Sequence, residues 1–392
     1  MRAKILYTTL LIFMFFQTLN MNVLPFYILN ISQNPNVYSF AFSLFSFGMF
    51  FGSFILGSFA DKFGRKITIV ALIPLYGLLQ LLTPLIETIQ TLYIIRFASG
   101  FLLAGVVANT TPLIMENIKQ NTEKVIGNFT VFGSVLISIG TFTGGILAQF
   151  ISHEAPLIFQ FVLSIIISIF LYFNIYETHD KSEPKAYKDN KTSATKKPNN
   201  QSRERKILSF SQICIMLINS IYILIFFFAL QGGRLLLITY YSFDPARLSY
   251  MSLYTGLLGL LIGSLFYPKM LKFLNKKHIL YTAFILLLFG VLSIGIYNSI
   301  FSMIILFTFA ISPQNLVKVP MNTLLAENIK SNKGFIFGVN NASISLFTAL
   351  GSMIVGFMFN LFGTYSFIFM VFLILILFVL TFLLFKSPAA RL

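Results

Sequence analysis

Charge is scarce in this 392-residue sequence. Only 10% of the residues are Asp, Glu, Lys or Arg, while 57% are hydrophobic, and the mean hydropathy is +0.83. A soluble globular domain carries about 25% charged residues. A soluble enzyme, a disordered chain and a nucleic-acid-binding domain are therefore excluded. Cysteine occurs once, at Cys214, which excludes an internal disulfide framework. The three histidines and that cysteine are scattered, so no zinc-type cluster forms and no metal or cofactor is expected. Acidic residues are the rarer charge, 12 against 28 Lys and Arg, for a net charge of +16.

What the chain has in abundance is apolar sequence. A helix that crosses a bilayer needs about 20 predominantly apolar residues. Twelve such runs lie between polar breaks: 5–29, 37–60, 67–86, 91–115, 125–150, 156–176, 211–240, 248–267, 279–297, 300–325, 335–362 and 364–385. They are numbered spans 1 to 12 below. The start of the chain, Met1-Arg2-Ala3-Lys4 before an apolar run, has the look of a signal peptide. The run is too long for one and lacks an A-x-A cleavage site, so it is read as a retained first span. The polar stretch within 177–206, rich in Lys, Asn, Ser and Thr, cannot bury apolar surface and reads as a linker. The expected fold is an all-α membrane protein of two pseudo-symmetric six-helix bundles, residues 1–176 and 207–392.

The basic residues set the orientation. If the loops alternate sides, 24 of the 28 Lys and Arg fall on the side of both termini. Arg247 is alone in the opposite loops, and Arg96, Arg234 and Lys318 fall within spans. By the positive-inside rule the termini are cytoplasmic. This asymmetry accounts for the basic balance without a nucleic-acid partner.

The two halves repeat each other. Glu116-Asn117-Ile118-Lys119 recurs 211 residues later as Glu327-Asn328-Ile329-Lys330. At the same offset Gly127, Gly140 and Gly145 meet Gly338, Gly351 and Gly356. Tandem repeats of like orientation imply a pseudo-two-fold axis along the membrane normal and a binding site between the halves.

Residues 57–66, Gly-Ser-Phe-Ala-Asp-Lys-Phe-Gly-Arg-Lys, occupy the turn between spans 2 and 3. They resemble the G-x-L-A-D-R-x-G-R-K signature of the major facilitator superfamily, departing at Phe59 and Lys62. In this turn Gly57 permits close helix approach and Gly64 a tight turn of unrestricted φ. Asp61 suits the N-terminal dipole of span 11, and Arg65 suits a pair with Glu116. The resemblance implies that Gly57, Asp61, Gly64, Arg65, Lys66 and Glu116 hold the inner side closed. Arg96-Phe-Ala-Ser-Gly100 resembles the R-x-x-x-G pattern of the fourth helix. Gly140-Thr-Phe-Thr-Gly144-Gly145 resembles the G-P-x-x-G-G motif of the twelve-helix drug:proton antiporter branch, with Thr141 in place of proline. Small residues at Gly140, Gly144 and Gly145 would let span 5 pack tightly and seal the outer side.

None of the 12 acids lies mid-span. That departs from the membrane-embedded Asp or Glu common in drug:proton antiporters, which attracts a cation and titrates. Span 1 offers Gln17, Asn20 and Asn22 instead, and an amide does neither. Arg96, Arg234 and Lys318 favour an anionic substrate. Gln231 shares a face with Arg234 and Gln314 with Lys318. Gln17, Asn20, Arg96, Gln231, Arg234, Gln314 and Lys318 are therefore expected around one cavity.

The expected function is a transporter, not an enzyme. It would reside as a monomer in the cytoplasmic membrane, in contact with the lipid bilayer. It would export a small amphipathic molecule, drug-like or metabolic, with the proton gradient as the energy source implied by the resemblance. The alternative is export of an anionic carboxylate metabolite such as a siderophore.

Overall fold

The structure, a computed structural model, describes residues 2–117, 122–174, 209–296, 299–328 and 333–386. These residues are helical nearly throughout, with no strand among them. Nine stretches among them are long and apolar enough to cross a membrane, and the last, Val339–Lys386, holds two successive helices. Spans 1 and 3 complete the twelve. Span 3 is the shorter helix Arg65–Leu81, and span 1 is broken in its middle. The linker 177–206 lies outside the described residues.

The break in span 1 follows from its sequence. Helix runs over Arg2–Phe16 and again over Leu24–Ile31. Pro25 has no N–H for the Met21 carbonyl, and its ring disfavours helix through that carbonyl. Asn20 and Asn22 carry side chains that compete for backbone groups. Residues 17–23 wind into tight turns, with the Met21 amide donating to Thr18 (3.1 Å) and the Val23 amide to Asn20 (3.1 Å). The Gln17 carbonyl, which the Met21 amide would otherwise satisfy, is left to accept side chains. Span 10 breaks similarly: a π-helical turn at Phe307–Ile311 and a 3-10 turn at Ser312–Gln314 precede helix Asn315–Glu327. Pro313 denies an amide to Phe309. Span 8, Pro245–Phe273, has its own π-helical turn at Ile262–Phe266, just before Pro268.

The sequence repeat is also a repeat of contacts. A Cβ at Gly140 would overlap the Phe15 carbonyl of span 1, and one at Gly144 the Leu19 carbonyl. In the second half a Cβ at Gly351 would crowd the Leu224 carbonyl of span 7. Gly140 and Gly351 thus let span 5 rest on span 1 and span 11 rest on span 7. The next pair joins the halves to each other. A Cβ at Gly145 would meet the Pro245 carbonyl and the Ser249 hydroxyl of span 8. One at Gly356 would meet the Pro35 carbonyl of span 2. Pro35 and Pro245 are equivalent: each opens its helix behind an N-cap, Asn34 or Asp244, whose side chain accepts an amide. One span of each half therefore lies, through a glycine, on the first turn of a helix in the other.

The two contacts between the halves fall at the face opposite the basic loops, called the far face below. One apolar cluster confirms the junction there, because Leu24, Ile28, Tyr38 and Phe42 of the first half pack with Ile225, Leu235 and Phe359 of the second. A second cluster, including Leu6, Leu10, Ile73, Ile114 and Leu171, belongs to the first half alone. In the 57–66 turn Gly64 adopts φ +105°, a conformation that favours glycine. Gly57 makes no close approach in this structure, since a Cβ there would meet nothing within 4 Å among the described residues.

Gly144→Val should force the Leu19 backbone away and destabilise the protein by about 1–3 kcal/mol. A thiol-reactive dye on the buried Cys214 would report this as a lower thermal midpoint in detergent. An unchanged midpoint would contradict the backbone contact described here.

Candidate functional site

Two buried polar groupings stand out, one inside the first half and one where the halves meet, and a third polar position is open. The first grouping surrounds the break in span 1. The Tyr76 hydroxyl donates to the freed Gln17 carbonyl at 3.1 Å, and Gln160 Nε2 approaches the same oxygen at 3.4 Å. Asn20 Nδ2 donates to Gln80 Oε1 of span 3. Arg96 of span 4 is 5% exposed and lies within electrostatic reach of Tyr76. Its guanidinium carbon sits 4.5 Å from the Phe45 ring centroid and 5.6 Å from that of Phe42. Arg96 Nε is buried and has no hydrogen-bond partner among the described residues.

The second grouping crosses the halves. The Tyr38 hydroxyl of span 2 donates to Gln231 Oε1 of span 7 at 3.1 Å. Arg234, one turn on, is 7% exposed and within electrostatic reach of Tyr38. Its Nη1 is buried without a hydrogen-bond partner among the described residues. The pseudo-symmetric position is held from span 1. Asn22 Nδ2 donates to the Ser249 hydroxyl (2.9 Å) and the Ser252 hydroxyl (3.1 Å) of span 8. The Thr141 carbonyl of span 5 accepts from both Asn22 (3.4 Å) and Ser249 (3.3 Å). Thr141, where the resembled motif has proline, keeps the helix regular and returns its hydroxyl to Ile137 at 2.8 Å.

Lys318 differs from the two arginines. Its side chain is exposed, between the buried Val317 and Pro320 of the same helix. Gln314, in the 3-10 turn before it, is half-buried. The seven residues expected around one cavity fall at three positions. Gln17, Asn20 and Arg96 belong to the first grouping, Gln231 and Arg234 to the second, and Lys318 with Gln314 to the open position. Asn340 accepts from Asn219 at 3.4 Å, a bond between spans 7 and 11.

Tyr38, Tyr76, Gln80, Gln160, Ser249 and Ser252 escaped the sequence reading. Polar residues that bond a broken backbone or another half carry no spacing signal. The repeat could have found Ser249, which stands opposite Tyr38 at the 211-residue offset.

On the basic face Asp61 pairs with Arg65 at 2.9 Å. The Glu116 side chain, and with it the expected pair with Arg65, lies outside the described residues. The second copy is visible. Lys276 and Glu327, the repeat equivalents of Arg65 and Glu116, form an ion pair. The N-terminus of span 11, offered to Asp61 by the sequence, is also outside the described residues at 329–332. Lys66 lies 5.2 Å from the Tyr172 ring centroid.

Twelve spans, a repeat built into glycine contacts and buried polar groups between the halves define a helical membrane transporter. A model of the Major Facilitator Superfamily matches residues 6–328, and the chain belongs to that family. It is 22% identical over 320 residues to multidrug resistance protein 1 of Bacillus subtilis, covering 80% of this chain and 78% of that one. It is 26% identical over 132 residues to the 4-hydroxybenzoate transporter PcaK of Pseudomonas aeruginosa. That match spans 33% of this chain and 30% of the relative, less than a third of its length. Among solved structures, the POT family transporter PepTSo is similar in fold, with a TM-score of 0.73 at 14% identity over 100% of this chain and 97% of that one. The chain is thus a multi-pass membrane transporter of small molecules and not an enzyme.

The partly exposed pair of Lys276 and Glu327 should contribute under about 1 kcal/mol to stability. Lys276→Glu or Glu327→Lys alone should lower transport while leaving the thermal midpoint nearly unchanged. The double exchange should restore transport, and a double variant no better than either single one would contradict a role for the pair.

Proposed function

We propose that this transporter exports a small amphipathic molecule by alternating access, driven by proton exchange. One observation carries the reading: the halves are sealed at the far face by two glycine contacts, Gly145 on Pro245 and Gly356 on Pro35. A carrier in this state loads from the basic face. The basic loops supply the orientation, with both termini cytoplasmic and the protein in the cytoplasmic membrane. Residues 1–176 and 207–392 rock as two bodies about the buried polar groups, and one chain forms the complete path.

In this reading the 57–66 turn closes the basic face in the opposite state. Gly57 then gains the helix neighbour it lacks here. Gly140, Gly144 and Gly145 allow the far-face closure seen now. The family resemblance and the long match to a multidrug resistance protein support export and proton exchange. Gln17, Asn20, Arg96, Gln231, Arg234, Gln314 and Lys318 form the substrate path, in the order in which the rocking exposes them.

The test is substrate-driven proton movement in liposomes that contain the purified protein, with amphipathic dyes and organic acids as substrates. Proton flux opposite to substrate flux is the expected result. It should be lost in Gly145→Val, which blocks the far-face closure, while that variant remains folded by the Cys214 dye assay. Substrate flux with no accompanying proton movement would overturn the coupling, and full flux in Gly145→Val would overturn the gate.

A further inference from the structure

Two arginines are buried within spans, one in each half, and the described residues provide neither with an anion. Arg96 and Arg234 form no ion pair among the described residues, and the sequence has no acid mid-span. An unpaired buried charge is strongly destabilising. The rings beside Arg96 compensate only its faces. A guanidinium directs its five N–H donors in its own plane, and the buried Nε of Arg96 and Nη1 of Arg234 have no acceptor.

A continuous path of aromatic and polar groups connects the two. Phe45 and Phe42 lie over Arg96. The Phe42 ring is 5.0 Å from the Tyr38 ring. Tyr38 bonds Gln231, and Gln231 shares a helix face with Arg234. The path runs from the first half to the second and contains two cations, three rings and no acid.

We propose that Arg96 and Arg234 are the two halves of a split site for an organic anion, whose carboxylate completes the guanidiniums and whose apolar, ring-bearing body lies against Phe45, Phe42 and Tyr38. This inference rests on the transporter reading above and names its substrate class. The charges give the site a second property. When it is empty, like charges sit on opposing halves. A bound carboxylate places a negative charge between them, so the anion favours the state in which the halves close around it. Lys318, exposed on span 10, attracts the anion on entry. Bidentate pairing with a planar carboxylate also explains arginine rather than lysine at both buried positions.

The experiment uses the full chain, purified in detergent, with Cys214 reporting thermal unfolding. The probes are 2-naphthoate, its neutral amide, 2-naphthylmethylamine and butyrate. We expect 2-naphthoate to raise the midpoint in a saturable way, butyrate to act only at concentrations at least tenfold higher, and the amide and amine to have no effect. Arg96→Gln and Arg234→Gln should each weaken 2-naphthoate binding at least tenfold, and Arg234→Lys less so. Discrimination between acid and amide is read on the wild-type chain, so it does not depend on any variant folding. Stabilisation by the amine or amide equal to that by the acid would overturn the inference. Transport of the amine in liposomes, with no response to the acid, would overturn it while leaving the transporter reading intact. No transport of any probe or dye would count against both.

Discussion

The structure depends on one kind of contact: a helix backbone lying directly on a glycine. Lipid tails are as apolar as leucine, so helices in a bilayer gain little from burying apolar faces against each other. Close packing and polar bonds must hold them instead. Gly140 and Gly144 admit the carbonyls of span 1, and Gly351 admits that of span 7. Gly145 and Gly356 then bring each half against the first turn of a helix in the other. The arrangement is double because the sequence is double. Two equivalent contacts about one axis make a seal that can release as a unit.

The polar groups follow from that packing. Span 5 meets span 1 where span 1 is unwound. Tight turns at 17–23 free the Gln17 carbonyl and aim Asn22 at span 8. The same region therefore supplies acceptors to its own half, through Tyr76 and Gln160, and donors to the other half. Tyr38 and Gln231 make the matching bond on the other side of the axis. Irregular backbone at membrane depth is tolerated only where protein or water satisfies it, and here side chains do so. The buried arginines adjoin this framework without being neutralised by it, which leaves the remaining charge to a ligand.

Most of the architecture was legible in the sequence. Span positions follow from hydropathy, and the bounds shift by only a few residues, as with 211–240 against Phe210–Thr239. The glycine motif of span 5 led to an expectation of close packing at Gly140, Gly144 and Gly145, and the repeat placed Gly351 and Gly356 opposite two of them, because a glycine at a helix crossing leaves a spacing signature. Gly64 was legible for a similar reason, through its positive φ. Span 1 was expected to be continuous, since hydropathy averages over a window and does not register Pro25 acting with two asparagines. The site was less legible. Arg96, Arg234 and Lys318 stand out as charges in apolar runs, but sequence gives no distance between them. Whether they share one cavity depends on which face of the carrier is closed. Tyr38 and Ser249 were missed because a hydroxyl in a helix is ordinary until its partner on the other half is known.

The central claim is that the far face and the basic face open in turn. Spin-label distances measure this directly. Leu85 and Tyr365 are exposed at the far face, one in each half, and Phe63 and Phe273 are exposed at the basic face. With labels at each pair in liposomes, substrate or a change of pH should lengthen the far-face distance and shorten the basic-face distance together. If both distances changed in the same direction, or the far-face pair stayed fixed while the protein transported, the seal at Gly145 and Gly356 would not be the gate.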